Sequence, residues 1–522
     1  MKKLSLWITG IAITTAACAQ QNPTALKYGN VINVTDAKKH LSILASDEYE
    51  GRETGKPGAE KAANYIAAEF KRLGLQAPVN GSYFLDVPLS ENKLNFTAFT
   101  VNGESFGSWK DFFMNGSFPD KNLNVSDVVY VGFGTAAELE GVDLTGKVIL
   151  LINEDKPEAG KTANTSYRAT PQRRAILEAI RAKNPAAIIA VNSELTAILK
   201  RYGASQGGGR IAIKKEEKAN TAAPLFNAAP TIADAILKAS GKTYEQLRTA
   251  TLAGKQSQVI KAAVNIAFVT EKKDVKAVDV LGFMPGSDAK LKNEVLVFSA
   301  HYDHIGLNPD PNAKDKVNNG ADDDGSGTTG VLEIARAFSK AKKDGKGPRR
   351  SILFLGNVGE EKGLLGSEWY TDHPVYPLAN TIADLNIDMI GRVGEEYMGK
   401  PDSANYVYSI GSAMLSTDLH KIGEAANNNY TKMKLDYKYD DPNDPNQFYY
   451  RSDHYNFARY GVPIIFYFNG VHADYHGLGD EVSKINFPLL VKRAQLAFFT
   501  GWDLANRDAR PVVDVKTPAP TK

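Results

Sequence analysis

Residues 295–306 read VLVFSAHYDHIG, an apolar run that ends in two imidazoles and a carboxylate. A run without polar alternation suits a strand covered on both faces, and such strands belong to largely parallel α/β sheets. In open sheets of this type functional side chains gather outside the carboxyl ends of the strands. His301 and Asp303 stand at such a place.

Four further segments put chemistry in comparable positions. They are NNGADDDGSGT (318–328) with Asp323, LGNVGEEKGLLGS (355–367) with Glu360 and Glu361, LNIDMIG (385–391) with Asp388, and DYHGLGDE (474–481) with His476. Apolar runs at 351–355 and 381–387 lead into two of them. Between the first strand and these, Val331, Ile334, Ala335 and Phe338 recur at helical spacing over 327–343, as a crossover helix requires. Strands of one sheet converge in space while lying far apart in sequence, which is why no local pattern such as HExxH occurs. Two imidazoles and three carboxylates, with one glutamate left over, suit a pair of hard-to-borderline divalent metals, and zinc is the usual occupant of such mixed sites. The chemistry indicated is hydrolytic.

Composition agrees without deciding the matter. With 43% hydrophobic and 23% charged residues the chain is ordinary globular material, and a net charge of +2 gives no reason to expect nucleic acid as a partner. The only cysteine, Cys18, precludes internal disulfides and thiolate metal sites. It lies in a leader of two lysines and an apolar stretch over 4–17, too short to span a bilayer. Residues 15–18, TAAC, resemble a lipoprotein box, with Cys18 as an acylated N-terminus; the competing cleavage at Ala17-Cys18-Ala19 would release a soluble protein starting at Gln20. The lone cysteine favours the lipoprotein reading, so the expected location is the bacterial cell envelope, with the membrane reached only through a lipid anchor.

The expected organisation is a signal peptide at 1–17, a flexible tether at 18–30, the first part of a catalytic domain at 31–124, an insert at 125–261, the rest of the catalytic domain at 262–507, and a disordered tail at 508–522. An amphipathic helix at 59–73 presents Ala62, Ile66, Phe70 and Leu73 on one face and stops at Gly74. The insert alternates short apolar strands with polar or glycine-rich stretches and contains no histidine. Two short patterns inside it are discarded: 141–147, GVDLTGK, lacks the Ser or Thr of a phosphate loop and precedes a strand, and 203–207, GASQG, lacks the strand and helix of a nucleophile elbow.

The ordered set His-x-Asp, Gly-Ala-Asp-Asp-Asp-Gly-Ser-Gly, Gly-Glu-Glu-x-Gly-Leu-x-Gly-Ser, x-Asp-Met and Tyr-His-x-x-x-Asp resembles the M28 family of co-catalytic two-zinc aminopeptidases. The insert is similar to a protease-associated (PA) domain, and residues 44–76 to that family's N-terminal region. The resemblance implies an α/β zinc-exopeptidase fold with a mostly parallel or mixed central sheet, and two zincs per chain. It implies that His301 and Asp388 bind one metal, Glu361 and His476 the other, with Asp323 bridging. Glu360 would be general base and later acid, and Asp303 would hold the imidazole of His301. The family's cis peptide would follow Asp323. His304 and the flanking Asp322 and Asp324 are read as loop-shaping residues.

Substrate preference is less determined. The loop 436–455, DYKYDDPNDPNQFYYRSDHY, reads either as a solvent-exposed loop or as a pocket wall. As a wall it would offer Arg451, Asp453 and His454, with Asp453 suited to a substrate α-ammonium and Arg451 to a carboxylate. The expected activity is removal of N-terminal residues from peptides. A carboxypeptidase or dipeptidase on the same fold is the alternative. Single-zinc glutaminyl cyclase chemistry and a non-catalytic receptor domain are disfavoured, because every ligand and Glu360 are present.

Overall fold

The computed structural model describes residues 21–516 apart from 117, 158–169, 203–208, 215–220, 255–256 and 311. The leader, Cys18 and the pattern at 203–207 lie outside the described residues. The chain forms two compact units, one from residues through Asp86, Val278–Gly306 and Val317 onward, the other from Val87–Ala277 and Leu307–Lys316.

The first unit is built on an eight-stranded sheet. Its strands are β1 (Phe84–Asp86), β2 (Val278–Met284), β3 (Val295–His301), β4 (Ser351–Asn357), β5 (Thr381–Ile387), β6 (Tyr406–Ile410), β7 (Lys434–Asp436) and β8 (Ile464–Phe468), in the spatial order β1-β2-β4-β3-β5-β8-β6-β7. The inner strands β4, β3, β5 and β8 run parallel, while β2 and β6 pair antiparallel at the flanks. Every residue of β3, β4 and β5 is buried, which explains why their sequences carry no alternation. Because β3 has β4 on one side and β5 on the other, the chain leaves its end in opposite directions and opens a crevice there.

Helices cover the sheet. Helix α1 (Pro57–Leu73) ends at Gly74 in the left-handed region (φ 79) and packs Phe70 near Phe354 of β4. Helix α2 (Gly325–Lys343) is the crossover read from the sequence. Its first turn lies so close to the end of β5 that a Cβ at Gly327 would overlap the carbonyl of Ile387. Helix α3 (Phe487–Asn506) brings Phe498 and Trp502 against Phe338 of α2.

Three boundaries differ from those expected. Residues 23–29 are a helix rather than a tether, capped by Asn22 and fixed by Tyr28, which is 1% exposed and stacked on Trp502. The tail is anchored through Val515: Arg510 donates to the carbonyls of Ala379 and Thr381, Asp514 accepts from the Thr417 amide at 2.8 Å, and the Val515 amide donates to the Leu415 carbonyl. The second unit starts at Val87, not 125. Its nine-stranded mixed sheet pairs Leu89–Val101 antiparallel with Gln258–Val275. Those partners lie more than 150 residues apart and 89–101 is rich in polar residues, so nothing local reveals the pairing. Within that unit Phe96, Phe99, Phe112, Phe226 and Phe268 pack as one aromatic cluster.

One side chain ties the segment before α1 to the crevice. Arg52 is 1% exposed and donates to the carbonyls of Tyr302 (2.7 Å), Leu44 (2.8 Å), Asn319 (2.6 Å) and Gly320 (2.8 Å). It thus holds the chain both between His301 and Asp303 and ahead of Asp323. Arg52→Met keeps much of the volume but leaves several buried carbonyls unpaired. Metal-free protein should lose about 3 kcal/mol or more, the scale for orphaning a buried polar set, as measured by urea unfolding.

Candidate metal centre

The five sequence segments meet outside the carboxyl ends of β3, β4, β5 and β8. His301 is the last residue of β3, Glu360 and Glu361 follow β4, Asp388 follows β5, and His476 lies in the loop after β8. Asp323 immediately precedes Asp324, which caps α2 by accepting from the Gly327 amide at 2.7 Å. The Asp323–Asp324 peptide is cis.

Asp323 faces two imidazoles with its two oxygens. Oδ1 lies 3.4 Å from His301 Nε2, and Oδ2 lies 3.1 Å from His476 Nε2. On the first side Asp388 Oδ1 is 3.6 Å from His301 Nε2; on the second Glu361 Oε2 is 3.0 Å from His476 Nε2. Each half therefore offers one imidazole and one carboxylate around a shared carboxylate. The donor set fits divalent cations on an observation within it: His301 Nε2 and Asp323 Oδ2 are buried without a hydrogen-bond partner, although both face the centre. His301 Nδ1 donates to the main-chain carbonyl of Asp303 at 3.1 Å, which leaves Nε2 as the nitrogen facing the centre.

The electrostatics show what the cluster requires. Burial opposes an imidazolium at His301, but Glu360, Asp388 and Asp323 outweigh it and hold its pKa well above the ordinary value. His476 is likewise raised to about 10, burial being overcome by Asp323 and Glu361. Asp323 is held well below the usual carboxylate range, burial being overcome by His301 and His476. Glu360 behaves oppositely. Burial, with Glu361, Asp388 and Asp453 nearby, pushes it well above the ordinary value despite His301. It lies 3.8 Å from His301 Nε2 and reaches no second imidazole, so it stands beside the donor set as an enclosed acid–base group.

A second layer fixes these groups. Ser452 donates to Asp388 Oδ2 at 2.6 Å and accepts from Asn386 at 2.9 Å. Asp480 accepts the backbone amides of Asp322 and Asp323, both at 3.0 Å. Asp322 and Asp324 accept from the amides of Gly391 and Met389, locking the strand-end loop of Asp388 to the start of α2. Ser452 escaped the sequence reading because a serine in a Tyr/Asp/Pro-rich loop carries no signal of its own.

Three expected roles change. The acceptor nearest the His301 imidazole is the carbonyl of Asp303, its carboxylate being 3.8 Å away. That carboxylate instead accepts from Thr54 Oγ1 at 2.7 Å and from the Glu360 amide at 3.2 Å, so it positions the backbone of the free glutamate. Asp453 is fully buried, and burial raises it to about 7, so it forms no pocket wall. His454 is also a core residue, stacked on Phe466 with Nε2 2.9 Å from the Tyr449 carbonyl. Its apolar surroundings explain the inward turn. Arg451 alone of that trio is exposed, with its guanidinium over Phe448 and 3.5 Å from the Tyr475 hydroxyl, beside His476.

A mixed sheet with imidazole and carboxylate donors at its parallel strand ends, and an unligated glutamate beside them, defines a metal-dependent hydrolase. Residues 279–500 match the model of Peptidase family M28. That matched segment contains every donor of the centre, from His301 to His476. Aminopeptidase YwaD of Bacillus subtilis is 23% identical over 428 residues, covering 78% of this chain and 76% of that protein. Leucine aminopeptidase 2 of Trichophyton equinum is 29% identical over 219 residues, and there the match spans only 38% of the relative's length. The same fold occurs in the aminopeptidase from Aneurinibacillus sp. strain AM-1 (TM-score 0.56, 19% identity, covering 95% of this chain and 99% of that one). It occurs also in BSAP, a zinc aminopeptidase from Bacillus subtilis (TM-score 0.53, 17% identity, covering 93% and 99%).

Burial lowers His454 to about 3. The unfolded chain binds its proton near pH 6.5, so between those values the unfolded state holds the extra proton and stability falls as pH falls. Between pH 7.5 and 5.5, metal-free wild type should lose about 1 kcal/mol relative to His454→Gln, since one pKa unit corresponds to 1.36 kcal/mol. Urea titrations at the two pH values measure the narrowing.

Proposed function

We propose that this chain is a zinc-dependent aminopeptidase holding two zinc ions, which releases N-terminal residues from peptides. The observation that carries the two-metal reading is Asp323, whose two oxygens face different imidazoles, each accompanied by its own carboxylate. His301, Asp388 and Asp323 would hold one ion, His476, Glu361 and Asp323 the other. The family and the named aminopeptidases support the substrate class.

When bound, the ions would supply Lewis acidity that makes an attacking water more acidic and polarises the scissile carbonyl. The proton traffic belongs to the chain. Glu360 takes a proton from the water as its oxygen forms a bond to the carbonyl carbon. It then gives that proton to the amine nitrogen as the C–N bond breaks, leaving a carboxylic acid and a free amine. Asp303 serves this step through the Glu360 amide, and enclosure of the Glu360 side chain (12% exposed) strengthens every charge interaction around it. The Arg451–Tyr475 edge beside His476, which is 39% exposed, marks the open rim from which a peptide would enter.

The second unit is proposed to be a PA-like module that governs substrate access; it contains no histidine and its mixed sheet has its own core. Export rests on the leader read from sequence, with Cys18 as an acylated N-terminus and a cell-envelope location.

Two adjacent glutamates test the division of labour. Glu360→Gln should lower turnover of an aminoacyl-arylamide at least about a hundredfold, the scale for losing a general base, with zinc content almost unchanged by elemental analysis. Glu361→Gln should instead lower zinc occupancy. The reverse pattern would exchange their roles, and cleavage of N-blocked peptides in preference to free amino termini would remove the aminopeptidase reading.

The leader has its own test. Cys18→Ser should release active enzyme from the membrane fraction or block its processing. Wild-type enzyme found wholly soluble with Gln20 as its first residue would establish ordinary secretory cleavage.

A further inference from the structure

We propose that His304 is a positioning residue for Glu361, setting which carboxylate oxygen faces the metal centre and so the affinity of that half for its ion. The inference rests on the two-zinc reading above and adds to it a residue that the sequence offered only as a loop former.

The geometry divides the Glu361 carboxylate between two jobs. Oε2 lies 3.0 Å from His476 Nε2, toward the centre, whereas Oε1 lies 2.9 Å from His304 Nδ1. His304 is 0% exposed, and its Nδ1 is 3.8 Å from Asp323 Oδ2, beyond hydrogen-bond reach. An N–H at Nδ1 therefore has one acceptor, the outward oxygen of Glu361. The same division holds in the other half, where Asp388 Oδ1 faces His301 and Oδ2 accepts from Ser452. Each terminal carboxylate thus gives one oxygen to the centre and has the other held by a buried donor.

The imidazole is itself fixed. The His304 amide donates to the Arg52 carbonyl at 3.2 Å. Its ring lies on Gly320, a glycine at φ +56 where a Cβ would come within 2.5 Å of His304 Cγ and Cδ2. Arg52 therefore holds both the backbone of His304, through its own carbonyl, and the glycine against which the ring lies. A carboxylate deprived of this donor can rotate or chelate through both oxygens, and the distance between the two halves then loses its constraint.

Zinc titration of the metal-free full chain, followed by calorimetry, tests the proposal. Wild type should take up two equivalents. His304→Leu fills the space without a donor and should weaken one equivalent about 10- to 100-fold, the scale for losing a group that orients a ligand, leaving the other unchanged. His304→Asn places an amide N–H near the position of Nδ1 and should recover most of the loss. Nitrogen-15 NMR of labelled wild-type histidines should show the Nδ1–H tautomer at His304, a readout that holds even where the leucine variant fails to fold. Unchanged zinc binding in His304→Leu, or equal losses in the leucine and asparagine variants, would overturn the proposal. So would an Nε2–H tautomer, which would make Nδ1 a direct ligand. A wild type that binds fewer than two zincs would overturn the two-zinc reading and this inference with it.

Discussion

Crowding of like charge in one crevice is the constraint on which the rest of this structure depends. Asp303, Asp323, Glu360 and Glu361 are enclosed together, with Asp388 beside them, and so many carboxylates in one crevice require compensating charge. Two imidazoles supply part of it, and both are held strongly basic as a result. Divalent cations would supply the compensation better, displacing the imidazole protons as they bind, so that metal affinity rises with pH. Burial pushes Glu360 well above the ordinary carboxylate range and raises Asp303 as well, whereas Asp323 and Glu361, which face imidazoles, are lowered.

Such a cluster would spring apart on a flexible frame. Here it is set on the ends of fully buried parallel strands, and the loops that carry it are held by backbone contacts. Arg52 holds the carbonyls of Tyr302, Asn319 and Gly320, Asp480 holds the amides ahead of the cap of α2, and Asp322 and Asp324 hold the amides after Asp388. Outside them, Ser452 and His304 fix the outward oxygens of Asp388 and Glu361. The donors that meet a substrate or a cation are thereby oriented by groups that never reach it.

The two units divide the chain's demands differently. In the first, the facing imidazoles and carboxylates are gathered at one end of a sheet whose inner strands are buried throughout. In the second, a long antiparallel pairing and a cluster of phenylalanines build a core with no histidine in it. Asp453 and His454 show the same separation at small scale. Both carry groups able to bind a substrate, yet both are buried, His454 stacked on Phe466 and Asp453 behind the charges of His301, Asp303 and Asp388, leaving Arg451 at the rim.

The sequence by itself determined the fold class and pointed to the residues that the structure brings together at the strand ends. Unalternated apolar strands ending in His301, Glu360, Glu361 and Asp388 encode both burial and position, because a parallel sheet places its strand ends together. Long-range pairing remained beyond it. The start of the second unit depends on strands more than 150 residues apart, and the helix at 23–29 depends on Tyr28 finding Trp502. The same holds for the supporting residues. Arg52, Thr54, His304 and Ser452 have no local pattern, since a hydrogen bond across space leaves no periodicity in the chain. Which way Asp453 and His454 point was decided by packing, and which oxygen of Glu361 faces inward was decided by an imidazole 57 residues before it.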